Sequence, residues 1–549
     1  MKYIGRLFRI FLYSFMLWGS ATYSQDPAQY GTPFKGVPDP RDAVIYQVNM
    51  RCFSSTRNFQ GVINRLDKIK ALGVNVIYLM PVQPIGTLKA FDSPYCIKDF
   101  TSVGSEFGSL ADLRSLVDSA HSLGMTVIMD WVQNQTSWDH PWITAHKNWY
   151  KQDAGGNILQ FSTYTDVAAL DFSNAAMCAE MINDMRYWVF TANIDGFRCD
   201  GGDNPPITFW QQAITSLRGI TSHKLLFLSE GTRGGNFTAG FDFNFAFDFY
   251  SNLKKIYNNS LVTIIDDSNI SEYSSAGVSN RMARYLTNHD VYGSDGSPFN
   301  IFGGKSGTLA AFVVTTYMKS VPFIYNGIEV GNTVAMPFPF NSSVINWTED
   351  VSVTPEMTNI IVFYNSSDAI RRGTLTSYDN ADVCAFKKVS ESDSVFVLVN
   401  LRNVSKIFTL PSGIKNTTMK DAFTGVTVSM GTSISLNAYE YKVFAENKLT
   451  AVPIKQDVSS LPRDFALSQN FPNPFNPSTK IRFGLPLREV TKLIIYDILG
   501  REVSVLVNKE LEAGYHEVEF NAINLASGVY FYKLNAGNFS DIKKFVLMK

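Results

Sequence analysis

Between about residue 40 and residue 375, short apolar or β-branched runs alternate with amphipathic helical patterns such as Leu110–Leu123 and Ala176–Phe190. A further helical pattern, Glu356–Arg372, closes the series. Eight strand–helix units in succession predict the α/β class and favour a closed parallel (β/α)8 barrel over an open sheet. The candidate strands are Val44–Val48, Val74–Leu79, Thr126–Trp131, Ile194–Arg198, Leu225–Leu228, Phe241–Phe245, Arg284–Leu286 and Pro322–Tyr325.

Beyond the barrel region the pattern changes to short alternating strands, such as Val395–Val399 and Tyr439–Phe444. This change predicts a small all-β domain, followed by an irregular linker and a second β domain of the sandwich type. Within the barrel, a long segment rich in Trp, Asp and Gly follows the third strand and predicts a functional insertion. The expected boundaries are 25–375 for the barrel, 136–174 for its insertion, 376–447 for the all-β domain, 448–464 for the linker and 465–549 for the last domain.

Residues 1–24 have the pattern of a signal peptide. Three basic residues precede an apolar stretch, Ile10–Trp18, and the small residues Thr22 and Ser24 precede a plausible cleavage site. A membrane anchor is the alternative, but the apolar stretch is about half the length that a bilayer requires. We therefore expect no transmembrane segment in the mature chain.

Charge and cysteine content exclude several classes of protein. The formal net charge is −1, which gives no reason to expect a nucleic acid or an anionic membrane as a partner. The five cysteines are an odd number, and no Cys/His spacing indicates a zinc site. We therefore interpret the cysteines as buried apolar thiols.

Polar clusters stand at the carboxyl ends of four predicted barrel strands, which is where barrels place their reactive groups. Taken singly, Asp130 could terminate a strand and the segment 288–290 could form a turn. Together they predict a glycosidase site, since glycoside hydrolysis uses two carboxyl groups and a neighbouring guanidinium favours the ionised form of one. The clusters are Asp130 with Asn134 and Gln135, Arg198 with Asp200, Glu230, and His289 with Asp290.

These ordered motifs resemble the four signature regions of the α-amylase family, glycoside hydrolase family thirteen, over residues of about 40 to 447. Ser93-Pro-Tyr95 and the segment 321–329 are also similar to the family's sequences. The resemblance implies retaining cleavage of α-glucosidic bonds in α-glucan polysaccharides or oligosaccharides, with the insertion as the family's B domain. It implies the following roles: Asp200 as nucleophile, Glu230 as general acid/base, Asp290 as third carboxylate, Arg198 orienting Asp200, and His289, Tyr95, Gln135, Asn134 and Asp130 as substrate-binding residues.

The sequence departs from the family pattern at two places. Gln135 stands where the family usually has a His that contacts the sugar at subsite −1, and we expect altered affinity from it. Asp203 and Asn204 replace a Lys and a His that many members carry after the nucleophile. No cofactor is required for the chemistry, but these replacements put the usual structural calcium in doubt, although Asn134 and Asp203 offer oxygen ligands.

The end of the chain has a resemblance of its own. Asn470-Phe-Pro-Asn-Pro-Phe-Asn-Pro, Tyr496-Asp-Ile-Leu-Gly-Arg and Leu525-Ala-Ser-Gly-Val-Tyr are similar to the type A sorting domain of the type IX secretion system. The resemblance implies that the secretion machinery is a partner and that the protein is secreted or held on the outer-membrane surface of a Gram-negative bacterium. A carbohydrate-binding β-sandwich is the alternative.

Other functions stay open on the same fold. A transglycosylase, a debranching enzyme or an oligosaccharide-specific α-glucosidase would share these motifs, because subsite shape and water access decide among them. A catalytically silent surface protein that only binds glycans is a different class, favoured only by Gln135. Within the insertion, Trp138, His140 and Trp142 could form a sugar-stacking platform or the insertion's own small core.

Overall fold

The computed structural model describes residues 26–446, 465–470, 473–511 and 514–548. The predicted signal peptide and the predicted linker lie outside these described residues. The chain divides near residue 450 into two compact units, each with its own hydrophobic core. Among the described residues, no helix is both long enough and apolar enough to cross a bilayer.

Eight parallel strands close into a barrel in chain order, as predicted, and the eighth strand pairs with the first. Each strand is short and almost wholly buried, which explains why most of the strand residues are apolar. The strands are Ile45–Val48, Val76–Leu79, Thr126–Trp131, Gly196–Cys199, Leu226–Ser229, Phe243–Phe245, Arg281–Tyr285 and Val321–Tyr325.

Helices surround the barrel, and their sequences account for their positions. In Leu110–Ser122, the apolar residues at three- and four-residue spacing are buried, and Ser109 begins the helix with a reciprocal capping box to Asp112. The main helices are Phe59–Ile63, Leu66–Ala71, Leu110–Ser122, Ala175–Ala192, Ile207–Arg218, Gly235–Ala239, Phe247–Tyr257, Ile264–Glu272, Gly304–Tyr317 and Val353–Ser366. Shorter helical turns are Pro40–Asp42, Met50–Phe53, Trp142–Ala145, Lys147–Trp149, His289–Asp295, Pro298–Ile301, Ile328–Val330 and Asp368–Arg372.

The helix predicted over Glu356–Arg372 is wrong as one continuous element. The structure has two helices, Val353–Ser366 and Asp368–Arg372, separated by Ser367 in an extended conformation. The Ser367 hydroxyl accepts a hydrogen bond from the Ile370 amide and donates one to the Asp393 carboxylate at 2.5 Å. Serine thus begins the second helix as its N-cap, a role that its side chain favours over a helix interior.

The insertion after the third strand contains a small antiparallel sheet of Gln135–Ser137, Gln160–Phe161 and Tyr164–Ala169. After the barrel, a six-stranded sheet and a two-stranded sheet form the predicted all-β region. Its strands are Thr374–Tyr378, Val383–Val389, Ser394–Asn400, Lys406–Thr409, Thr418–Asp421, Thr427–Ser429, Ser433–Leu436 and Tyr441–Ala445. All five cysteines are buried and unpaired, which confirms their interpretation as apolar thiols.

The second unit consists of a three-stranded and a four-stranded antiparallel sheet around one apolar core. Alternate residues along Ser478–Leu485 are buried, the pattern of a strand with one face on a core. The strands are Ala466–Leu467, Ser478–Leu485, Glu489–Tyr496, Glu502–Leu511, Gly514–Asn521, Gly528–Ala536 and Phe539–Leu547.

Candidate active site

A cleft with a volume of about 590 Å³ opens at the carboxyl end of the barrel strands. Asp200 and Glu230 each directly follow the last residue of a strand, the fourth and the fifth. Asp290 lies in the short helix His289–Asp295 that follows the seventh strand. The fold therefore brings three predicted carboxyl groups, far apart in sequence, to one cavity together with Tyr95, Gln135 and His289.

One fully buried guanidinium joins the acids at the base of the cleft. Arg198 Nη1 donates to both carboxylate oxygens of Asp130, at 2.7 and 2.9 Å, and to Asp200 Oδ1 at 3.1 Å. Arg198 Nη2 lies 2.8 Å from Glu230 Oε2, which also accepts a hydrogen bond from the Gly201 amide at 2.7 Å. Asp200 and Glu230 thus lie against the same side chain, an arrangement compatible with the separation of about 5 Å in retaining glycosidases.

In this cluster several carboxyl groups surround one positively charged guanidinium. Burial and the adjacent Glu230 carboxylate raise the pKa of Asp200 well above its ordinary value, and the charge of Arg198 opposes this shift. A proton is therefore retained within the cluster at a pH where isolated carboxyl groups would all be ionised. Acid/base chemistry at a glycosidic bond requires such a retained proton.

His289 is held as a neutral imidazole between two neighbours. Its Nδ1 contacts the Gln47 side-chain amide at 2.8 Å, and its Nε2 contacts the Tyr95 hydroxyl at 2.7 Å. Burial and the charge of Arg198 lower the pKa of His289 to about 4. Tyr95 stacks on this ring with centroids 5.6 Å apart, so that both side chains have fixed orientations on the wall of the cleft.

Asp130 and Asn134, which are predicted to bind substrate, contact other protein groups in the structure. Asp130 is fully buried behind Arg198 and also accepts hydrogen bonds from the hydroxyls of Tyr78 and Tyr95, at 2.6 and 3.2 Å. Asn134 donates to the backbone carbonyl of Asp200 at 2.9 Å. Neither lines the cleft, because both side chains are used to position the residues that do.

Gln135 faces the cleft, in agreement with the prediction. Its backbone pairs with Ala169 in the sheet of the insertion, and its side chain lines the cavity beside Asp200 and His289. Gln135 Oε1 is buried and has no hydrogen-bond partner among the described residues. A buried amide oxygen without a partner offers a ligand a strong acceptor.

Asp203 does not suit the calcium site that the family resemblance suggests. Its carboxylate accepts hydrogen bonds from the Thr232 amide at 2.9 Å, from the Arg233 amide and from the Asn236 side chain at 2.8 Å. The Arg233 guanidinium lies 3.9 Å from the same carboxylate. A carboxylate already satisfied by donors and close to a guanidinium is a poor ligand for a hard cation.

The aromatic residues at the start of the insertion form its own core, the second of the two predicted alternatives. His140 packs against Phe100 and Trp142, and Trp142 in turn packs edge-on against Trp149. The Trp138 indole donates to the Thr165 carbonyl. None of the three predicted stacking residues lines the cavity.

Other side chains, which the sequence did not single out, line the cleft instead. Phe91, Tyr164 and Phe338 are each more than half exposed there, at 63%, 60% and 52%. Phe161 and the nearly buried carboxyl of Asp166 also face the cavity from the insertion. Exposed aromatic residues suit the apolar faces of sugar rings. Phe91 and Phe338 lie in loops, and Phe161 and Tyr164 lie in short strands of the insertion, so no apolar periodicity marks these rings in the sequence.

Comparisons with known proteins agree with this architecture. A family model described as the α-amylase catalytic domain matches residues 53–155. Alpha-amylase 3 of Dictyoglomus thermophilum is 24% identical over 368 residues, which are 59% of this chain and 71% of that protein. The α-1,4-glucan:maltose-1-phosphate maltosyltransferase of Arcanobacterium haemolyticum is 25% identical over 391 residues, covering 61% of this chain and 54% of that protein.

The fold has close counterparts among solved structures. An α-amylase from Lactobacillus plantarum superposes with a TM-score of 0.68 at 23% identity, covering 74% of this chain and 100% of that one. A second family model, described as a secretion system C-terminal sorting domain, matches residues 469–548. The motif resemblance is thereby confirmed at the level of matching models and fold: residues 53–155 match the α-amylase catalytic domain model, the barrel shares its fold with solved α-amylases, and residues 469–548 match the sorting-domain model.

Proposed function

We propose that this chain is a retaining glycoside hydrolase that cleaves α-glucosidic bonds in starch-like α-glucans or malto-oligosaccharides. The observation that carries the proposal is the contact of one buried guanidinium, Arg198, with both Asp200 and Glu230 at the base of an open cleft. Two carboxyl groups held together beside a cavity of sugar size are the minimum that retaining chemistry requires.

In the proposed reaction, a carboxylate oxygen of Asp200 attacks the anomeric carbon while Glu230 gives its proton to the departing glycosidic oxygen. Glu230 then takes a proton from water, and the resulting attack at the same carbon releases the sugar from Asp200. Arg198 favours the ionised form of Asp200 at the moment of attack. Asp290 and neutral His289 offer hydrogen bonds to the sugar hydroxyls.

Transfer to a second sugar is the other candidate, because the similar protein from Arcanobacterium haemolyticum is named as a maltosyltransferase. The exposed rings of Phe91 and Phe338 at the cleft would suit an acceptor sugar in place of water. The two outcomes differ only in what attacks the glycosyl–enzyme.

Product analysis with starch, pullulan, maltotriose and isomaltose tests the proposal. Hydrolysis releases reducing ends from starch and maltotriose, whereas transfer gives products longer than the substrate. Glu230→Gln is the matched control and should form neither the hydrolysis products nor the transfer products. Binding of these glycans without any product would contradict the proposal and favour a silent glycan-binding protein.

Gln135→His is expected to lower kcat/KM by about tenfold at pH 8, the scale of one or two hydrogen bonds to substrate. The Gln135 amide offers the sugar a donor and an acceptor together, whereas a neutral imidazole presents one nitrogen. The variant should also add an ionisation near pH 6 to 7 to the rate profile. Since the pKa of His289 is about 4, His289 does not ionise in that range.

Kinetics between pH 5 and 8 measure both effects, and Gln133→His is the matched control. Gln133 is buried and donates to the Asp200 carbonyl without lining the cleft, so its substitution should lower stability instead of adding an ionisation. An unchanged rate profile for Gln135→His with a lower Tm would mean that Gln135 only supports the insertion.

We also propose that residues 465–549 direct export, so that the enzyme is secreted or displayed on the outer surface of a Gram-negative bacterium. Support comes from the match of residues 469–548 to a sorting domain and from the separate apolar core of this unit.

A further inference from the structure

A second cavity, with a volume of about 690 Å³, lies between the barrel and the all-β region that follows it. Arg281 is the first residue of the seventh barrel strand, and Lys319 stands just before the eighth. Both therefore lie at the amino ends of the strands, opposite the cleft. Lys388 reaches the same cavity from the strand Val383–Val389.

These three cations have no acidic partner among the described residues. Arg281 is 6% exposed and donates only to backbone carbonyls, those of Val278, Asn280 and Arg371, while its Nε has no partner. Lys388 is 1% exposed and donates to the Ile370 carbonyl. The Lys319 ammonium lies 4.1 Å from the centre of the Tyr273 ring.

Two arginines and two aspartates complete the charged lining of the cavity, and the described residues show no ion pair between their side chains and Arg281, Lys319 or Lys388. Arg371 and Arg372 form ion pairs with Asp42, at 2.5 and 2.6 Å. Asp266 accepts a hydrogen bond from Ser377, at 2.6 Å, and Asp379 is exposed. The described residues thus leave a net positive cluster at the cavity wall.

Clustered buried cations are costly unless an anion neutralises them. Burial, with the charges of Arg281, Arg284 and Lys319, lowers the pKa of Lys388 well below its ordinary value. The neighbouring Arg284 differs, because it is paired with Glu272 at 2.9 Å. The fold therefore provides a counter-ion for one buried arginine and none for Arg281.

We propose that this cavity binds a small oxyanion of the phosphate class, held by Arg281, Lys319 and Lys388. Guanidinium and ammonium groups are the donors that bind phosphate in proteins, and the cavity has room for more than the phosphate group. The ligand is either free phosphate or the phosphate group of a sugar phosphate. Tyr273 and Leu375, which also line the cavity, would contact the sugar.

Thermal unfolding and calorimetry of the full chain with inorganic phosphate test the proposal. At about a hundred times its Kd, phosphate should raise Tm by about 3 °C beyond sodium chloride of equal ionic strength. Lys319→Gln, at a half-buried position, should weaken phosphate binding at least about tenfold. Lys388→Met, which replaces a buried amine with an apolar chain, should do the same, while Lys415→Gln on the exposed surface should change nothing.

A parallel titration with glucose 6-phosphate separates the two sources of ligand. Tighter binding than that of inorganic phosphate identifies a sugar phosphate, and equal binding identifies the free ion. A rise in Tm with phosphate that is no larger than the rise with chloride would overturn the proposal. Unchanged phosphate affinity in both lysine variants would also overturn it. Glucan cleavage should be unchanged in these variants, since the cavity and the cleft lie at opposite ends of the barrel.

Discussion

Asp200→Asn is expected to lower kcat on malto-oligosaccharides by about 10⁴-fold or more, the scale seen when an enzyme loses its nucleophile. Asparagine preserves the size of the side chain, but its amide cannot form the glycosyl–enzyme bond. Glu230→Gln removes the proton donor and should lower kcat by about 10²- to 10⁴-fold. Steady-state kinetics measure both losses, and circular dichroism checks that the fold persists.

The two roles can be separated by the choice of leaving group. An aryl α-glucoside with an acidic phenol needs no proton to depart, so Glu230→Gln should retain far more of the bond-breaking rate on it than Asp200→Asn. Asp166→Asn is the matched control, because this carboxyl group also faces the cleft but lies outside the cluster around Arg198. Asp166→Asn should lower kcat by at most about tenfold. A near-normal rate for Asp200→Asn or Glu230→Gln would remove that residue from its proposed role.

Deleting residues 465–549 is expected to abolish export while leaving an active enzyme. The deleted unit has its own apolar core, built from residues such as Ile481, Leu493 and Phe545. The main apolar core of the first unit is made of residues between 37 and 443, so the deletion removes none of them. In the native host, the truncated protein should accumulate in the periplasm with unchanged kcat on maltotriose.

Cell fractionation with activity assays measures this outcome, and the purified truncated enzyme gives its Tm. A deletion that unfolds the barrel would make the last unit structural, and normal export of the truncated chain would refute its sorting role. Ile542→Asp is a useful comparison, since this exposed strand residue lies outside the core and its substitution should leave the unit folded.

The sequence predicted the barrel and the acids of the cleft because both follow from local patterns. Most residues of the barrel strands are apolar and buried, and Asp200 and Glu230 come immediately after two of these strands, at the edge where parallel strands end. The break at Ser367 was missed because the apolar periodicity continues through it, and the contact with Asp393 that stabilises the break is distant in sequence.

Residues that act through tertiary contacts were harder to predict. Asp130 stands at a strand end like the other acids, but its side chain is buried behind Arg198, and only the packing of neighbouring strands decides that. Phe91 and Phe338 come from separate loops with no periodic signal. Arg281, Lys319 and Lys388 belong to three distant segments, so their shared cavity has no pattern in the sequence.

A covalent bond between Asp200 and the sugar determines the anomeric configuration of the first product. Two successive displacements at the anomeric carbon restore its original configuration, whereas one displacement by water inverts it. Proton NMR of maltotriose cleavage, recorded before mutarotation, should show the α-anomer as the first-formed sugar. Initial β-anomer would mean that water attacks directly and would contradict Asp200 as a nucleophile.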